Sequence, residues 1–252
     1  MALLETKNLT KNFGGLKAVH DFSLQVEEGK ITSLIGPNGA GKTTVFNLLT
    51  GFLPISGGEV RFRGKLLNGF NPYRIAQMKI ARTFQIIRIF PKMTVLDNVM
   101  VGCQNPKGES TWGALLQTRG IKREEEKNRE RALKLLELVG LSQYPDQYAV
   151  NLGYGQQKLV EIARALAMDP ELLLLDEPMA GLSMDMTFVM MDLIRTLKKN
   201  GKTIFFIEHN MRVVMDISEW IFVLSYGEEI ARGTPAEVQK NQRVIEAYLG
   251  SH

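Results

Sequence analysis

The chain has 252 residues, of which 44% are hydrophobic and 23% are charged, and its formal net charge is +4. This length allows one large α/β domain, or a core domain with a smaller helical lobe, and the composition is typical of a soluble globular protein. The longest apolar runs are far shorter than the about 20 residues that cross a bilayer, so we expect no membrane-spanning segment.

The amino-terminal residues and the cysteine content both indicate a protein of the cytosol. The first residues lack a charged start followed by an apolar stretch, so we expect no secretion signal. Cys103 is the single cysteine, which excludes an intrachain disulfide and favours a reducing compartment.

The positive charge is unevenly distributed, with eight basic residues and no acid between Arg61 and Lys92. This stretch is compatible with a basic face near a membrane surface or an acidic partner. It is equally compatible with a solvated face that is balanced by acids from elsewhere in the fold. We expect no nucleic-acid binding, because aromatic residues do not form a stacking platform among these basic residues.

The chain begins with a pattern typical of short strands. Residues 3–9 and 17–26, followed by a turn over 27–29, predict strands and a hairpin that lead into the next motif. Phe13 lies in the link between the first two of them. Its ring has two possible uses, stacking against a nucleobase or packing in the core, and the pattern alone does not decide between them.

Residues 36–44 match the phosphate-binding loop pattern G-x-x-x-x-G-K-[ST] at every required position. The predicted strand over 30–35 and the helix over 45–50, which Gly51 closes, supply the context that this loop needs. Its backbone N–H groups surround phosphate oxygens at a helix N-terminus, Lys42 reaches the terminal phosphates, and the Thr43 hydroxyl ligates Mg²⁺. The predicted nucleotide-binding residues of the loop are Gly36, Pro37, Asn38, Gly39, Ala40, Gly41, Lys42, Thr43 and Thr44.

After the phosphate loop the pattern becomes mainly helical up to residue 149. In chain order we predict a strand over 59–63, a short helix from Asn71 to near Ile80, and a capped helix that begins after Thr94. An exposed loop or insertion is expected over 104–119. An amphipathic helix over 122–139 follows, which Gly140 ends and whose apolar residues are Leu133, Leu136 and Val139. Residues 90–149 are therefore expected to form a separate lobe.

Two carboxylates close the next buried strand. A glycine-rich segment over 151–157 opens an amphipathic helix, whose predicted apolar face includes Leu159, Ile162, Ala163 and Leu166. The apolar run 172–175 then ends in Asp176 and Glu177. Ligands of open α/β sheets bind at this end of the strands. Asp176 is thus placed to hold Mg²⁺ and Glu177 to accept a proton from an attacking water, although two acids at a strand end can also serve as a helix cap.

The last third of the chain continues the α/β pattern. We predict a helix over 184–197, a buried strand over 203–207, closing strands over 220–224 and 228–231, and small helices over 235–249. His209 follows the strand over 203–207. A lone histidine is usually structural, but at this sheet edge it can touch the terminal phosphate or the attacking water.

Taken in order, the phosphate loop, Gln85, residues 152–156, the acidic pair and His209 resemble the ATP-binding subunits of ABC transporters. The resemblance covers essentially the whole chain. It implies an α/β fold of the P-loop NTPase type, with a RecA-like core sheet, an amino-terminal antiparallel β subdomain and a helical lobe specific to the family. It also implies two subunits that face head to tail, with each ATP between one subunit's phosphate loop and the other's signature.

The resemblance implies a role for each matching residue. Phe13 would stack on adenine, Gln85 would sense Mg²⁺ and the γ-phosphate, Glu177 would be the general base, and His209 would be the switch. Lys42 belongs to the same catalytic set, and Thr43, Gln85 and Asp176 to the Mg²⁺ set. The signature that acts on the partner's ATP would be Leu152, Gly153, Tyr154, Gly155 and Gln156. The dimer-contact loop would be Ala180, Gly181, Leu182 and Ser183.

Within that family the chain looks most like the ATPases of branched-chain amino acid importers. The supporting features are residues 154–157 of the signature, residues 82–85, the insertion after Val101 that leads into a charged helix, and the ending at residues 247–250. The likeness implies ATP and Mg²⁺ as cofactors, a second ATPase subunit, identical or different, two transmembrane permease subunits, and an extracytoplasmic binding protein that acts indirectly. It implies a cytoplasmic location, peripheral on the inner face of the cell membrane.

Three alternative functions remain open beside this hypothesis, and the sequence also predicts how the chain divides into domains. The alternatives are an ATPase for lipid or lipopolysaccharide, an ATPase for another solute, and a soluble ABC ATPase without a transport role. The expected domains are a nucleotide-binding core with its β subdomain over 1–89 and 150–235, a helical lobe over 90–149 with an insertion at 104–119, and a helical tail over 236–252.

Two residues depart from the family pattern. Gly153 stands where the signature usually has serine, and Ser183 stands where the dimer-contact loop commonly ends in an acid. Loss of a hydroxyl that would donate to the γ-phosphate removes roughly 1.5 to 3 kcal/mol, or about one to two decades of rate. We therefore expect unequal sites if the chain pairs with a different ATPase subunit.

Overall fold

The computed structural model describes residues 2–103 and 119–249. The strands are β1 Ala2–Phe13, β2 Leu16–Phe22, β3 Gln25–Glu27, β4 Ile31–Ile35, β5 Gly57–Phe62, β6 Lys65–Leu66, β7 Ile80–Arg82, β8 Leu172–Asp176, β9 Thr203–Ile207, β10 Trp220–Ser225 and β11 Glu228–Gly233. The helices are α1 Lys42–Leu49, α2 Pro72–Gln77, α3 Val95–Met100, α4 Arg119–Leu138, α5 Tyr154–Ala167, α6 Met184–Lys199, α7 Met211–Ile217, α8 Pro235–Gln239 and α9 Gln242–Leu249. A short 3₁₀ helix, Ala149–Asn151, precedes α5.

The chain divides into two compact units. The first contains Met1–Gln85, Glu171–Ala180 and Ile194–His252, and the second contains Ile86–Pro170 and Gly181–Leu193. Each unit is assembled from separate stretches of the chain, so sequence order alone does not delimit it. The domains expected from the sequence are a nucleotide-binding core, a helical lobe and a tail, and their boundaries stay a prediction.

A six-stranded sheet forms the centre of the first unit. Its strand order is β11-β10-β4-β9-β8-β7, and every pairing is parallel except that of β10 with β11. All five residues are buried in each of β4, β8 and β9, as expected for parallel strands that are covered on both faces. Since these strands run parallel, their carboxyl ends meet at one edge of the sheet.

A second, antiparallel sheet lies in the same unit, with the order β2-β1-β5-β6 and β3 paired with β1. One hydrophobic core joins the two sheets and α1. Phe22 of β2 packs edge-on against Phe222 of β10, with ring centroids 6.0 Å apart. Phe46 of α1 packs on Phe205 of β9 at 5.1 Å. The first turn of α1 is thereby fixed beside the carboxyl edge of the larger sheet.

Most elements follow the sequence predictions, but several differ, and neither β6 nor the 3₁₀ helix before α5 was predicted. The helix expected to end near Ile80 stops at Gln77, and Ile80 begins the edge strand β7. Phe13 is the last residue of β1 and not part of a link. Helix α7 was not predicted. Strand β7 has three residues and α7 has seven, lengths over which apolar periodicity carries little signal.

Helices α3, α4 and α5 pack together in the second unit. The apolar face predicted for α5 is buried, with Leu159, Ile162, Ala163 and Leu166 between 0% and 4% exposed. In α4, Leu136 is fully buried, whereas Leu133 is 37% exposed, so that part of the predicted face is wrong. The expected insertion over 104–119 lies outside the described residues, apart from Arg119 at the start of α4.

The predicted cap of α3 is confirmed. The Thr94 hydroxyl accepts a hydrogen bond of 3.0 Å from the Asp97 backbone N–H. We expect Thr94→Ala to lower the free energy of unfolding by about 1 kcal/mol, because one N–H of the first turn loses its acceptor. Urea denaturation measures this change, and Thr94→Ser serves as the control that keeps the hydroxyl. Equal stability of the alanine and serine variants would contradict the expectation.

The basic stretch between Arg61 and Lys92 is balanced at several positions by carboxylates. The pairs are Arg61 with Glu59, Arg63 with Glu28 and Glu171, Lys79 with Glu171, and Arg82 with Asp176. Most of these residues lie far apart in sequence, which is why the stretch appeared unbalanced. In the part of the chain that the structure describes, none of the helices has the length and apolar character to cross a membrane.

Candidate nucleotide site

A cavity of about 450 Å³ opens at the carboxyl edge of the larger sheet. Three groups of residues line it: the phosphate loop, the β1–β2 hairpin, and the ends of β8, β9 and β10. Its lining residues are Phe13, Leu16, Lys17, Ala18, Asn38, Gly39, Ala40, Gly41, Lys42, Thr43, Thr44, Glu177, His209, Tyr226 and Gly227. The structure thus brings together the predicted phosphate loop, base and switch histidine in a space of the size that ligand pockets usually have.

Two glycines of the phosphate loop are required by close packing. Gly36 has φ +150°, and a Cβ there would lie 2.0 Å from the Leu224 carbonyl oxygen. Gly41 has φ +102°, and its Cβ would lie 2.4 Å from the Ala18 carbonyl oxygen. Any side chain would push the loop away from β10 and from the hairpin. The loop therefore keeps its shape through contacts with neighbouring backbone.

Lys42 is buried at the first position of α1. Its Nζ donates hydrogen bonds of 2.8 Å to the Gly36 carbonyl and 2.9 Å to the Pro37 carbonyl. Burial lowers the pKa of Lys42, and the nearby charges of Glu177 and Asp176 oppose that shift. The ammonium group is thus held over the loop interior, where phosphate oxygens can replace the two carbonyls as acceptors.

Asp176 ends β8, and its carboxylate is buried against Arg82. The Arg82 guanidinium donates to Oδ2 at 2.8 Å, and the other oxygen, Oδ1, is buried without a hydrogen-bond partner among the described residues. Burial raises the pKa of Asp176, while the bond from Arg82 counteracts this rise. One carboxylate oxygen is therefore left to meet a metal ion or its bound water.

Glu177 follows immediately in a left-handed backbone conformation, with φ 51°. Its Oε2 accepts a hydrogen bond of 2.8 Å from Gln85 Nε2, and its Oε1 contacts His209 Nε2. The side chains of Gln85, Glu177 and His209 therefore form one chain of contacts, although their sequence positions are far apart. An acid at this position, held from both sides, has the geometry of a general base with two orienting neighbours.

Glu208 is a residue that the sequence analysis missed. Its buried carboxylate accepts hydrogen bonds from the backbone N–H groups of Met179 at 2.8 Å and His209 at 2.9 Å. It thereby links the segment after Glu177 to the segment that carries His209. The charge of Glu208 at the end of a buried strand was a usable signal, because buried acids need partners.

The residues present fit a Mg²⁺ ion bound together with a nucleotide. Thr43 lines the cavity with an exposed side chain, and Asp176 Oδ1 lacks a protein partner among the described residues. Hydroxyl and carboxylate oxygens are the ligand types that Mg²⁺ prefers, and it usually keeps several waters and takes phosphate oxygens from the substrate. Gln85 contributes an amide at the same edge.

Phe13 lies on the surface of the pocket and not in the core. Its side chain is 45% exposed, and Lys11 Nζ lies 5.0 Å from the ring centroid. Leu16 and Tyr226, which are 68% and 92% exposed, line the same cavity. Neither Leu16 nor Tyr226 was a predicted site residue. The open aromatic face of Phe13 is suited to stacking on a planar base.

The signature residues and the end of the dimer-contact loop lie in the second unit. Gly153 precedes α5, and its backbone N–H donates a hydrogen bond of 3.0 Å to Gln156 Oε1. A Cβ on Gly155 would lie 2.9 Å from the Met186 side chain, and one on Gly181 3.1 Å from the Tyr154 ring. The start of α5 and the start of α6 are thus packed closely on each other.

Ser183 has a structural use in this arrangement. Its hydroxyl accepts a hydrogen bond of 3.3 Å from the Met186 backbone N–H, and its carbonyl accepts one of 2.9 Å from the Thr187 N–H. Ala180 belongs to the first unit, where its N–H donates to the Glu177 carbonyl at 3.2 Å. Ser183 therefore caps α6, which is a common role of serine.

Tyr248 of α9 lines a second cavity, of about 400 Å³, together with residues that include Gly36, Asn38 and His209. Burial raises the pKa of Tyr248 to about 12, and the nearby Gly36 backbone opposes this rise in part. Because the folded pKa exceeds the ordinary value of about 10, Tyr248 stabilises the fold below about pH 10. This contribution is lost as the pH rises from about 10 to about 12.

The Tyr248→Phe variant tests this shift. The absorbance difference at 295 nm between the native wild type and the variant is expected to stay near zero up to about pH 11, since the Tyr248 phenolate has not formed. The same difference measured in denaturant is expected to appear near pH 10. A native difference that rises at pH 10 would show that Tyr248 is not buried as described.

The chain is similar to known proteins over nearly its full length. The family model described as "ABC transporter" matches residues 19–180, and the model described as "Branched-chain amino acid ATP-binding cassette transporter" matches residues 228–252. The high-affinity branched-chain amino acid transport ATP-binding protein LivG of Salmonella typhimurium is 44% identical over 249 residues, which cover 98% of each chain.

Solved structures show the same fold. The ADP conformation of an ATP-binding cassette of an ABC transporter superposes with a TM-score of 0.87 at 37% identity and covers 100% of both chains. A dimeric bacterial ABC transporter cassette gives a TM-score of 0.76 at 28% identity and covers 92% of this chain and 98% of the other. With its phosphate loop, acidic strand end and full-length relatives, this chain belongs to the ABC transporter family of ATP-binding cassette proteins.

Proposed function

We propose that the chain is the ATP-hydrolysing subunit of a membrane importer for branched-chain amino acids. The observation that carries the chemistry is the cavity at which Lys42, Glu177 and His209 meet the phosphate loop. The observation that supports the substrate class is similarity over nearly the full length to a branched-chain amino acid transport ATP-binding protein. The proposed ATP hydrolysis and the proposed transported solute therefore rest on two different observations.

Nucleotide binding begins with the exposed ring and the loop. Phe13 stacks on adenine, and the phosphates enter the turn over 36–44, where backbone N–H groups and the N-terminus of α1 favour negative charge. Lys42 Nζ exchanges the Gly36 and Pro37 carbonyls for phosphate oxygens. Because these carbonyls already hold the ammonium group in place, little reorganisation is needed when the triphosphate arrives.

Hydrolysis depends on the acid that Gln85 and His209 orient. Glu177 accepts a proton from the attacking water, while the contacts to its two oxygens keep the carboxylate directed into the cavity. Thr43 and Asp176 would hold Mg²⁺, which, when bound, neutralises charge on the phosphate oxygens. His209 touches Glu177 from the next strand and is placed to respond to the terminal phosphate.

We propose that a second ATPase subunit completes each site. The segment from Leu152 to Gln156 would face the partner's ATP, with Ala180 to Ser183 at the contact between subunits. Gly153 has no hydroxyl for the γ-phosphate, and its N–H is directed at Gln156. The site that this signature completes is therefore weaker than the one built on Lys42 and Glu177 when the partner is a different ATPase subunit.

Transport requires proteins that this chain does not contain. Two membrane permease subunits form the path for the amino acid, and an extracytoplasmic binding protein delivers it. The ATPase acts at the inner face of the membrane. ATP binding closes the pair of ATPase subunits and hydrolysis reopens it, so that the permeases alternate between two states.

Reconstitution tests this proposal. The chain, a partner ATPase subunit and the two permeases are placed in liposomes with the binding protein, and ATP hydrolysis is measured with leucine, isoleucine or valine. We expect these amino acids to stimulate hydrolysis and to accumulate on the side of the membrane where the ATPase lies. Lysine or glutamate should have neither effect. Hydrolysis that responds to a lipid or to another solute would overturn the substrate class, and absence of hydrolysis with Mg²⁺ would overturn the enzyme.

A further inference from the structure

Arg82 is a buried cation at the end of β7. Its side chain is 5% exposed, and the Asp176 carboxylate that it contacts is 2% exposed. The two residues are 94 positions apart in sequence. Strands β7 and β8 bring them together, with Arg82 opposite Leu174 in the parallel register. A buried ion pair of this kind needs further contacts to offset its desolvation.

Those further contacts fix the guanidinium in one orientation. Arg82 Nη1 donates to Asn47 Oδ1 at 2.8 Å and to Thr50 Oγ1 at 3.0 Å, and both acceptors belong to or cap α1. The rings of Phe46, Phe52 and Phe84 surround the guanidinium carbon at 5.5, 5.9 and 5.0 Å. The planar fork is thus locked to the helix that follows the phosphate loop.

The locked fork determines which oxygen of Asp176 remains available. Arg82 Nη2 binds Oδ2, while Oδ1 is buried and has no hydrogen-bond partner within the described residues. Without Arg82 the carboxylate would be free to rotate, and Lys42 is the nearby cation toward which it would turn. Arg82 therefore orients Asp176, as hydrogen-bonding partners of a metal-coordinating residue commonly orient that residue.

The same short segment reaches the second acid. Gln85, three residues after Arg82, donates to Glu177 Oε2 at 2.8 Å. One stretch of backbone therefore orients both acids at the end of β8, and it does so with two different groups. The charged fork binds Asp176, and the neutral amide binds Glu177.

We propose that Arg82 is a positioning residue that presents Asp176 Oδ1 to Mg²⁺ and ties the metal site to the helix after the phosphate loop. This inference rests on the proposed function, in which Asp176 holds the metal. It predicts that Arg82 governs the affinity for the metal and leaves the affinity for the nucleotide alone nearly unchanged.

The test measures metal and nucleotide binding separately on the full-length chain. Free Mn²⁺ is followed by electron paramagnetic resonance in the presence of the imido analogue of ATP, and the affinity for the same analogue is measured in EDTA. In Arg82→Gln, Mn²⁺ affinity is expected to fall about 10- to 100-fold, as is usual when an outer partner of a metal ligand is removed. Analogue affinity in EDTA is expected to stay within about threefold of wild type, because Arg82 binds Asp176, Asn47 and Thr50, which lie outside the phosphate loop.

Two further variants make the result specific. Arg82→Lys keeps the charge but not the fork, so we expect most of the loss to remain. Arg63→Gln removes an exposed arginine that also binds two carboxylates, and we expect wild-type Mn²⁺ affinity. If Arg82→Gln fails to fold, Asn47→Ala takes its place, since it removes one of the two acceptors of Nη1 and should weaken Mn²⁺ binding to an intermediate degree.

The outcomes separate this inference from the proposed function. Wild-type Mn²⁺ affinity in folded Arg82→Lys, or equal losses of metal and metal-free nucleotide binding, would overturn the role of Arg82 alone. A wild-type chain whose affinity for the analogue does not respond to the metal would overturn the proposed function, and the inference with it.

Discussion

Replacing Glu177 by glutamine is expected to lower the rate of ATP hydrolysis by about 10²- to 10⁴-fold and to leave ATP affinity nearly unchanged. The amide cannot accept the proton of the attacking water, and removal of a general base typically costs this much. Glutamine has almost the same shape, so Gln85 and His209 keep a neighbour of similar size. Phosphate release and equilibrium nucleotide binding, measured on the same preparation, separate the two effects.

Glu171→Gln is the matched control for this change. Glu171 immediately precedes β8, at the end opposite to Glu177, and pairs with Arg63 outside the cavity. We expect the rate of ATP hydrolysis by this variant to equal that of wild type.

In a mixed dimer, Glu177→Gln should cost more activity than the equivalent change in the partner, because the site built on Glu177 is the stronger one. Equal losses from the two changes would contradict the inference of unequal sites.

Lys42→Ala is expected to abolish measurable hydrolysis and to weaken ATP binding by about 10- to 100-fold. A hydrogen bond to a charged group contributes roughly 1.5 to 3 kcal/mol, which corresponds to this range of affinity at about 1.4 kcal/mol per decade. In the absence of nucleotide, the variant also loses the two hydrogen bonds from Lys42 Nζ to the Gly36 and Pro37 carbonyls. We therefore expect a modest fall in melting temperature without nucleotide.

Titration calorimetry with a non-hydrolysable ATP analogue measures the affinity, and circular dichroism the melting temperature. Lys30→Ala is the control, since Lys30 immediately precedes β4 and pairs with Glu27 on the surface. It is expected to bind the analogue as wild type does. An Lys42→Ala variant that binds ATP normally would mean that the cavity receives the triphosphate elsewhere.

The parts of this protein that could be predicted from sequence are those encoded locally. The phosphate loop is one contiguous motif, and the strands over 172–176 and 203–207 are buried apolar runs, so each is visible within a short window. The acids and the histidine that follow these strands could be placed at one edge because parallel strands share their direction.

What could not be predicted depends on pairs of distant residues. Arg82 and Asp176 meet only through the pairing of β7 with β8, and β7 has just three residues. The bond from Met179 to Glu208 crosses 29 positions. No periodicity within a helix or strand reports such contacts. The useful signal was a charged residue inside or directly after an apolar strand, which requires a buried partner.

The position of Tyr248 has a practical consequence for work on this protein. Because its side chain shares a cavity with Gly36, Asn38 and His209, α9 is a natural place for an optical reporter of nucleotide occupancy. A dye attached to this helix would sense a change in the loop through their shared cavity. For the same reason, an affinity tag fused after α9 should be cleavable and should be removed before nucleotide affinity is measured.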